Sequence, residues 1–293
     1  MDHEKRSTLW VEASLLLAVL FLGTNPVAVK YAVAEIPPLP FVALRFTAAG
    51  LLALGVAWLL GVAGGIGKKD LLSLAGVGIV GVGMNNVFFT LGVSQTTASN
   101  TALIYAAVPV WGMILGSFLG LEQPTRKGIL GVAFAFLGVG VIVYGGLGAS
   151  GTSLTGDLLA VGATVCWSAY AVFSLPLLRR LQPLTVAAYT MLFGGLAAAI
   201  PAVPFFGRVE WTDVGGGVWI SMLYSTVFVA AFGFAAWQRG ISRIGANRVL
   251  VYQYLITFTG VSASILLLGE DFGIEKLFGG AILLGGVYLA RRQ

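Results

Sequence analysis

Residues 71–121 decide the fold of this chain; they read LLSLAGVGIVGVGMNNVFFTLGVSQTTASNTALIYAAVPVWGMILGSFLGL. These 51 residues contain no Asp, Glu, Lys or Arg, and a polar break interrupts them at Ser94-Gln95-Thr96-Thr97. A helix needs about 20 apolar residues to cross the hydrocarbon core of a bilayer. The stretch therefore predicts two successive transmembrane helices, one on each side of the break.

The composition of the whole chain points the same way. Of its 293 residues 58% are hydrophobic and 10% are charged, whereas a soluble domain carries about 25% charged residues. So few charges cannot coat a water-facing surface, which excludes a disordered protein and a nucleic-acid-binding protein. The net charge of +5 comes from short basic clusters between apolar runs. We expect an all-α polytopic membrane protein that is embedded in the lipid bilayer.

The same pattern predicts ten transmembrane helices along the chain. Their expected ranges are residues 10–29, 39–60, 71–92, 98–119, 128–146, 157–178, 184–206, 215–238, 246–268 and 275–291. Pro26 and Pro109 lie inside these ranges and should kink their helices, since proline lacks the backbone N–H that a helix needs.

The distribution of Lys and Arg predicts the orientation, because cytoplasmic loops are enriched in basic residues. With the N-terminus in the cytoplasm, thirteen basic residues lie on the cytoplasmic side: Lys5, Arg6, Lys68, Lys69, Arg126, Lys127, Arg179, Arg180, Arg239, Arg243, Arg248, Arg291 and Arg292. Three lie outside, Lys30, Arg208 and Lys276, and Arg45 lies within a span. We expect both termini to be cytoplasmic and the protein to be a multi-pass protein of the inner (plasma) membrane.

An internal repeat relates the two halves of the chain. Residues 92–99 align with residues 240–247, and the same offset of 148 pairs three further residues: Glu122 with Glu270, Gly131 with Gly279 and Gly138 with Gly286. We expect a five-helix repeat over residues 1–146 and a second over 147–293. Because five is an odd number, the second repeat would be inverted, an arrangement of many secondary transporters with the substrate site near the midplane. A chance alignment of glycine-rich helices is the alternative.

Several kinds of chemistry lack the residues that they need. His3 is the only histidine and Cys166 the only cysteine, which excludes a histidine-based triad and an HExxH zinc site. Residues 76–81 match GxGxxG, but they lie inside an apolar span instead of between a strand and a helix. We expect no cofactor, no metal and no enzyme activity. No Asp or Glu lies near a predicted midplane, which favours facilitated diffusion or exchange over proton antiport.

Two basic residues near the outer side are candidates for binding a carboxylate or phosphate, since ionisable groups in a membrane are usually functional. Arg45 lies about two turns inside its span, and Lys30 ends the first span. The alternatives are that Lys30 snorkels to the membrane interface or pairs with Glu35, and that Arg45 binds backbone carbonyls at a helix end.

Six neutral polar or aromatic side chains in the spans are further candidates for binding a substrate: Asn85, Tyr105, Trp167, Tyr170, Trp237 and Gln253. An amide or hydroxyl group that faces lipid is costly, so these groups should face protein or water. The repeat places Tyr105 opposite Gln253, where the pair could hydrogen-bond a zwitterion between aromatic walls. The alternative is that the amides join helices and that the aromatic rings form belts at the membrane interface.

Five short motifs occur in a fixed order: residues 22–30 (LGTNPVAVK), Pro109-Val110 followed by residues 120–124 (GLEQP), residues 166–170 (CWSAY), and residues 268–270 (LGE). Together they resemble the EamA-type proteins of the drug/metabolite transporter superfamily. Residues 232–241 (FGFAAWQRGI) are similar to the eighth helix of the YddG-like amino-acid exporters. Leu22 stands where that family usually has tryptophan, and Pro26 where it often has phenylalanine. The resemblance implies a ten-helix carrier that moves small metabolites, often outward.

We therefore predict a secondary transporter that exports amino acids, including aromatic and apolar ones, by alternating access. The substrate class follows from the resemblance, and the neutral deep residues are consistent with it. Three alternatives stay open: a carrier for a nucleotide sugar, organic phosphate or drug; a scaffold or channel; and an intramembrane enzyme.

Overall fold

The computed structural model describes residues 2–120, 125–146, 151–250 and 252–291. Glu122, Arg292 and the start of the second predicted repeat at residue 147 lie outside these ranges. The long helices are α1 (Asp2–Ala32), α2 (Pro38–Leu59), α3 (Lys68–Gln95), α4 (Ala98–Phe118), α5 (Arg126–Gly146), α6 (Leu154–Leu178), α7 (Pro183–Phe206), α8 (Gly216–Ile244), α9 (Tyr252–Leu268) and α10 (Ile274–Arg291). The short helix Ala246–Val249 lies between α8 and α9.

The predicted spans coincide with these helices, and the described residues contain no strand. Eight helices, α1 to α8, are long and apolar enough to cross a membrane. Helix α9 is apolar but has 17 residues, about 26 Å at 1.5 Å per residue, slightly less than the hydrocarbon thickness of about 30 Å. The all-helical multi-pass fold is confirmed, whereas a total of ten crossings stays a prediction.

Three helices depart from regular α geometry. Helix α4 consists of Ala98–Tyr105 and Val108–Phe118, and the interruption directly precedes Pro109, as the predicted kink requires. Helices α3 and α8 each contain a π-helical stretch, Ile79–Met84 and Ser225–Gly233. Adding the offset of 148 to residues 79–84 gives 227–232, which lies inside the second stretch. The irregularity therefore repeats in both halves, and such stretches are frequent at functional sites.

The helix packing has the symmetry of a two-fold repeat. Helix α2 packs along α7, and α5 packs along α10. Helix α1 contacts α8 and α9, while α6 contacts α3 and α4. Each helix has a counterpart five places along the chain: α1 corresponds to α6, α3 to α8, and α4 to α9. Exchanging counterparts converts the contacts of α1 into those of α6.

Glycines bring the paired helices into backbone contact. A Cβ atom on Gly138 of α5 would lie 2.6 Å from the oxygen of Gly279, and one on Gly286 of α10 would lie 2.7 Å from the oxygen of Gly131. These two contacts are equivalent under the offset of 148. Between α2 and α7, a Cβ atom on Gly50 would lie 2.5 Å from the nitrogen of Leu192. Small residues let membrane helices approach closely, because apolar surface gains little against lipid.

Contacts between helix ends define the two ends of the bundle. Lys30, near the end of α1, pairs with Glu270, which follows α9. We call this the far end. At the opposite end, Arg180 directly after α6 pairs with Asp70 in the first turn of α3. We call this the near end.

Candidate functional site: a central cavity

A central cavity lies between the two halves, with walls from α1, α2, α3, α4, α6, α8 and α9. It has about 570 Å³ of empty space, counted out to its open mouth. Five of the eight predicted site residues line it: Arg45, Asn85, Tyr105, Trp167 and Gln253. Among the described lining residues, Arg45 is the one charged group.

Arg45 is buried without a counter-ion. It is 1% exposed, and its Nε donates a hydrogen bond to the backbone oxygen of Ser225 at 3.1 Å, at the start of the π-helical stretch of α8. Its guanidinium carbon lies 4.7 Å from the ring centre of Phe46, a cation–π contact that replaces a small part of the lost hydration. Its Nη1 has no hydrogen-bond partner, and no carboxylate of the described residues pairs with it. A buried cation is normally paired, so this group can receive an anion.

Three oxygen atoms of the cavity residues are also buried without a partner among the described residues: Asn25 Oδ1, Gln253 Oε1 and Thr257 Oγ1. Buried polar atoms are nearly always hydrogen-bonded, because an unsatisfied one costs about 1–3 kcal/mol. Two of these are amide oxygens, which accept hydrogen bonds. The cavity thus combines one unpaired cation with several unpaired acceptors.

Trp167 forms an aromatic wall that other rings support. Its ring centre lies 5.0 Å from Phe234, 5.4 Å from Tyr170 and 5.6 Å from Trp237. Tyr170 and Trp237 pack against Trp167 and do not line the central cavity. Trp237 is 1% exposed, so the alternative of an interfacial belt is wrong for this residue. The wall gives the cavity a rigid apolar face.

Asn85 both joins helices and lines the cavity. Its Nδ2 donates to the Tyr105 hydroxyl at 3.0 Å and to the oxygen of Ala163 at 2.7 Å. These bonds connect α3 with α4 and α6. The two interpretations of this amide are therefore compatible, and Asn85 holds the Tyr105 ring in position at the cavity.

Lys30 lies outside the cavity, at the far end. Its Nζ donates to the oxygen of Thr96 at 2.7 Å and lies 3.5 Å from Glu270 Oε1. The alternative in which Lys30 pairs with Glu35 is wrong, because Lys30 pairs with Glu270 and Glu35 accepts a hydrogen bond from the nitrogen of Gly215 at 2.7 Å. Proximity along the chain suggested Glu35, but the end of α9 brings Glu270 closer.

A buried polar network, the far-end cluster, joins the two halves. Its members are Lys30, Thr96 and Ser99 from the first half and Asp157, Glu270 and Lys276 from the second. Glu270 accepts hydrogen bonds from the nitrogens of Ala98 and Ser99 at 2.8 and 2.9 Å and from the Ser99 hydroxyl at 2.7 Å. Thr96 donates to Asp157 at 2.7 Å, and Lys276 donates to the Ser99 hydroxyl at 2.8 Å. These bonds all cross from one half to the other, so they hold the far end closed.

Glu270 is the acidic centre of the cluster. Burial opposes its ionisation, but the hydrogen bonds from Ser99 and Ala98 and the charge of Lys30 outweigh burial and lower the pKa of Glu270 below its ordinary value. The carboxylate also caps the N-terminus of α4, where unpaired N–H groups favour a negative charge. Glu270 is therefore ionised at neutral pH.

The family model for the EamA-like transporter family matches residues 9–144 and again residues 154–292. The chain belongs to this family. Members of the EamA-like transporter family move small molecules through a lipid bilayer, so the chain is a multi-pass membrane protein of a transporter family.

Relatives of this EamA-like chain carry transporter names. It is 26% identical to the uncharacterized transporter YyaM of Bacillus subtilis, over 92% of this chain and 90% of the relative. It is 24% identical to a probable amino-acid metabolite efflux pump of Salmonella typhimurium, over 94% and 92%. A probable terminal-alkyne amino-acid exporter of Streptantibioticus cattleyicolor is 29% identical over 77% and 74%. A solved crystal structure, 20% identical, shares the fold with a TM-score of 0.64 over 97% of this chain and 99% of the other.

Sequence reasoning missed several cavity residues of this EamA-like transporter, among them Asn25, Thr101 and Thr257. Helical spacing could have found some of them. Thr257 lies four residues after Gln253, and Thr101 lies four residues before Tyr105, so each shares a helix face with a predicted residue. Asn25 is an amide inside the first predicted span, so the cost of an amide that faces lipid could have indicated it.

Proposed function

We propose that this transporter exports amino acids, including aromatic and apolar ones, by alternating access. The unpaired guanidinium of Arg45, buried in an apolar cavity, is the observation that carries the proposal. A single cation with no acid beside it suits a ligand with one carboxylate, and the bidentate geometry of arginine matches that group.

In this proposal, the rest of the cavity recognises the other parts of a zwitterion. Its ammonium group donates to the free oxygens of Gln253, Asn25 and Thr257. An apolar or aromatic side chain packs on Trp167, with Phe89 and Phe234 nearby. Tyr170 and Trp237 hold Trp167 in place, and Lys30 acts at the far end instead of on the substrate.

In alternating access, the protein then alternates between a state that is closed at the far end and a state that is closed at the near end. The far-end cluster closes one end while the substrate enters from the other, and the cluster must break when the inverted halves rock. The distribution of basic residues assigns the near end, with both termini, to the cytoplasm. Substrate that enters there and leaves at the far end is exported.

A carrier for organic phosphates is the second candidate, because Arg45 would also bind a phosphate. A phosphate monoester carries close to two negative charges at neutral pH. The described lining residues offer one cation against them, which leaves part of the charge uncompensated in an apolar site. The names of the amino-acid exporters among the relatives also favour the first candidate.

The test is counterflow in proteoliposomes, with unlabelled phenylalanine inside, labelled phenylalanine outside and no ion gradient. We expect saturable accumulation in the wild type and in Arg208→Gln, which removes an exposed cation. Arg45→Met removes the buried charge at nearly constant size and should reduce uptake at least about tenfold, as expected for a charge-assisted hydrogen bond worth about 1.5–3 kcal/mol.

Competition then tests the carboxylate itself. Phenylalaninamide has the same size but no carboxylate, and we expect it to compete at least about tenfold more weakly than phenylalanine, for the same reason. Equal competition, or full activity of Arg45→Met, contradicts the role of Arg45. Absence of accumulation with any amino acid in folded protein contradicts the substrate class.

A further inference from the structure

A second cavity lies at the near end, apart from the central cavity. Its walls come from α1, the end of α2, the loop between α6 and α7, and the last turns of α8. It has about 1390 Å³ of empty space, counted out to its open mouth, and it shares no lining residue with the central cavity. Amino-acid transport through the central cavity assigns it no role.

Four arginines border this near-end cavity. Arg179 and Arg180 directly follow α6, whereas Arg239 and Arg243 lie one turn apart near the end of α8. Only Arg180 has a carboxylate partner among the described residues, Asp70 at 2.9 Å. Four cations against one carboxylate leave the border with a charge of +3, so it attracts anions.

Most of the other lining residues of this cavity form an apolar wall. It includes Leu178, Leu184, Phe232 and Ala235, and Leu60 at its edge is 66% exposed. A small soluble anion would contact the arginines and leave this wall in contact with water, which is unfavourable. An anionic amphiphile satisfies both parts, because its head binds the arginines while its chain covers the wall.

We propose that this near-end cavity binds the phosphate headgroup of an anionic phospholipid. Arg179, Arg239 and Arg243, which have no carboxylate partner among the described residues, hold the phosphate. The apolar wall packs against an acyl chain. Basic pockets between transmembrane helices bind lipid headgroups in this way. Arg126 and Lys127, at the start of α5, are also exposed at the near end, but they do not line the cavity. The proposed site therefore depends on arginines beside an apolar wall and not only on the positive charge of the near end.

Native mass spectrometry of the purified protein, titrated with phosphatidylglycerol, tests this site. We expect Arg239→Gln with Arg243→Gln to weaken binding about 30-fold, as follows from the usual contribution of two basic residues near a membrane surface. The control, Arg126→Gln with Lys127→Gln, removes the same charge at the same end and should change binding less than about threefold. If the first double variant does not fold, Arg179→Gln takes its place, with an expected loss of about fivefold.

Two further probes separate the possible ligands. Phosphatidylcholine has the chains but no net charge, and glycerol phosphate has the phosphate but no chains; we expect both to bind at least about tenfold more weakly. Equal loss of binding in the two double variants overturns the site. Equal binding of phosphatidylcholine shows that the arginines are not used, and equal binding of glycerol phosphate shows a site for soluble anions; either result overturns the proposal.

Discussion

Lys30 and Arg45 are two cations whose burial is compensated in different ways. Lys30 has the carboxylate of Glu270 and the oxygen of Thr96 within reach. Arg45 has one backbone oxygen and two aromatic rings, and its Nη1 has no partner in the described part of the chain. The first arrangement stabilises the closed far end, whereas the second leaves a binding group free. At the scale of single residues, the partner decides the role.

Gln253 allows a prediction at this scale. Gln253→Leu removes the free Oε1 from the cavity while keeping the size of the side chain nearly constant. We expect the half-saturation concentration for phenylalanine to rise about tenfold, since a hydrogen bond to a charged group contributes about 1.5–3 kcal/mol. Gln182→Leu, at an exposed loop position, serves as the control in the same counterflow assay. An unchanged half-saturation concentration in Gln253→Leu would exclude contact with the ammonium group.

At the scale of helices, backbone contacts between α2 and α7 mirror each other. Gly50 contacts the backbone of Leu192, and Gly195 contacts the backbone of Thr47. An offset of 145 positions relates Gly50 to Gly195 and Thr47 to Leu192, so the two contacts are equivalent. The same offset relates Leu22 to Trp167, and both line the central cavity. Close packing in this pair of helices therefore holds the two halves of the chain together.

Gly50→Ala should separate these helices. The added Cβ would lie 2.5 Å from the nitrogen of Leu192, a backbone atom that cannot rotate away. We expect a loss of stability of about 1–3 kcal/mol, the usual cost of overpacking, measured as thermal unfolding in detergent. Gly55→Ala on the same helix has no atom within 4 Å of the new Cβ and should be neutral or slightly stabilising. Equal effects of the two substitutions would argue against backbone contact between α2 and α7.

At the scale of the whole molecule, hydrogen bonds and ion pairs between the halves concentrate at the far end. Asp157, Glu270 and Lys276 of the second half all bond to groups that begin or precede α4. In the proposed alternating-access cycle, opening at this end requires that these bonds break together. The far-end cluster thus joins the two halves through polar contacts at this end.

The lowered pKa of Glu270 predicts how the stability of the folded protein depends on pH. Because the pKa is lower in the folded than in the unfolded protein, the stabilisation is complete above the ordinary value of about 4.3. It is lost as the pH falls through the folded-state pKa. Between pH 6 and pH 3.5 the wild type should therefore lose more thermal stability than Glu270→Gln. The exposed Glu210→Gln should behave like the wild type, and equal pH profiles of all three proteins would contradict the stabilising role of Glu270.

Orientation is a further prediction for the whole molecule. A fluorescent reporter that matures only in the cytoplasm should give a signal when inserted after Gly64, in the near-end loop between α2 and α3. It should give none after Gly207, in the far-end loop between α7 and α8. Signal at Gly207 alone would reverse the assigned direction of transport.

Much of the architecture was predictable because the bilayer imposes simple rules. A span must be apolar over about 20 residues, so the uncharged residues 71–121 predicted α3 and α4, and the polar break at Ser94–Thr97 predicted their junction. The interruption of α4 before Pro109 likewise follows from local chemistry. These features depend on neighbouring residues or on the lipid.

The sequence by itself determined an all-helical membrane protein, its family resemblance, its internal repeat and the short set of polar residues from which a site could be built. Only the tertiary structure decided which of them meet: Arg45, Asn85, Tyr105, Trp167 and Gln253 at one cavity, and Lys30 with Glu270 at the far end. The reason is that Lys30 and Glu270 lie near opposite ends of the chain. Local patterns carry no information on such a contact, which depends on how α1 and α9 pack.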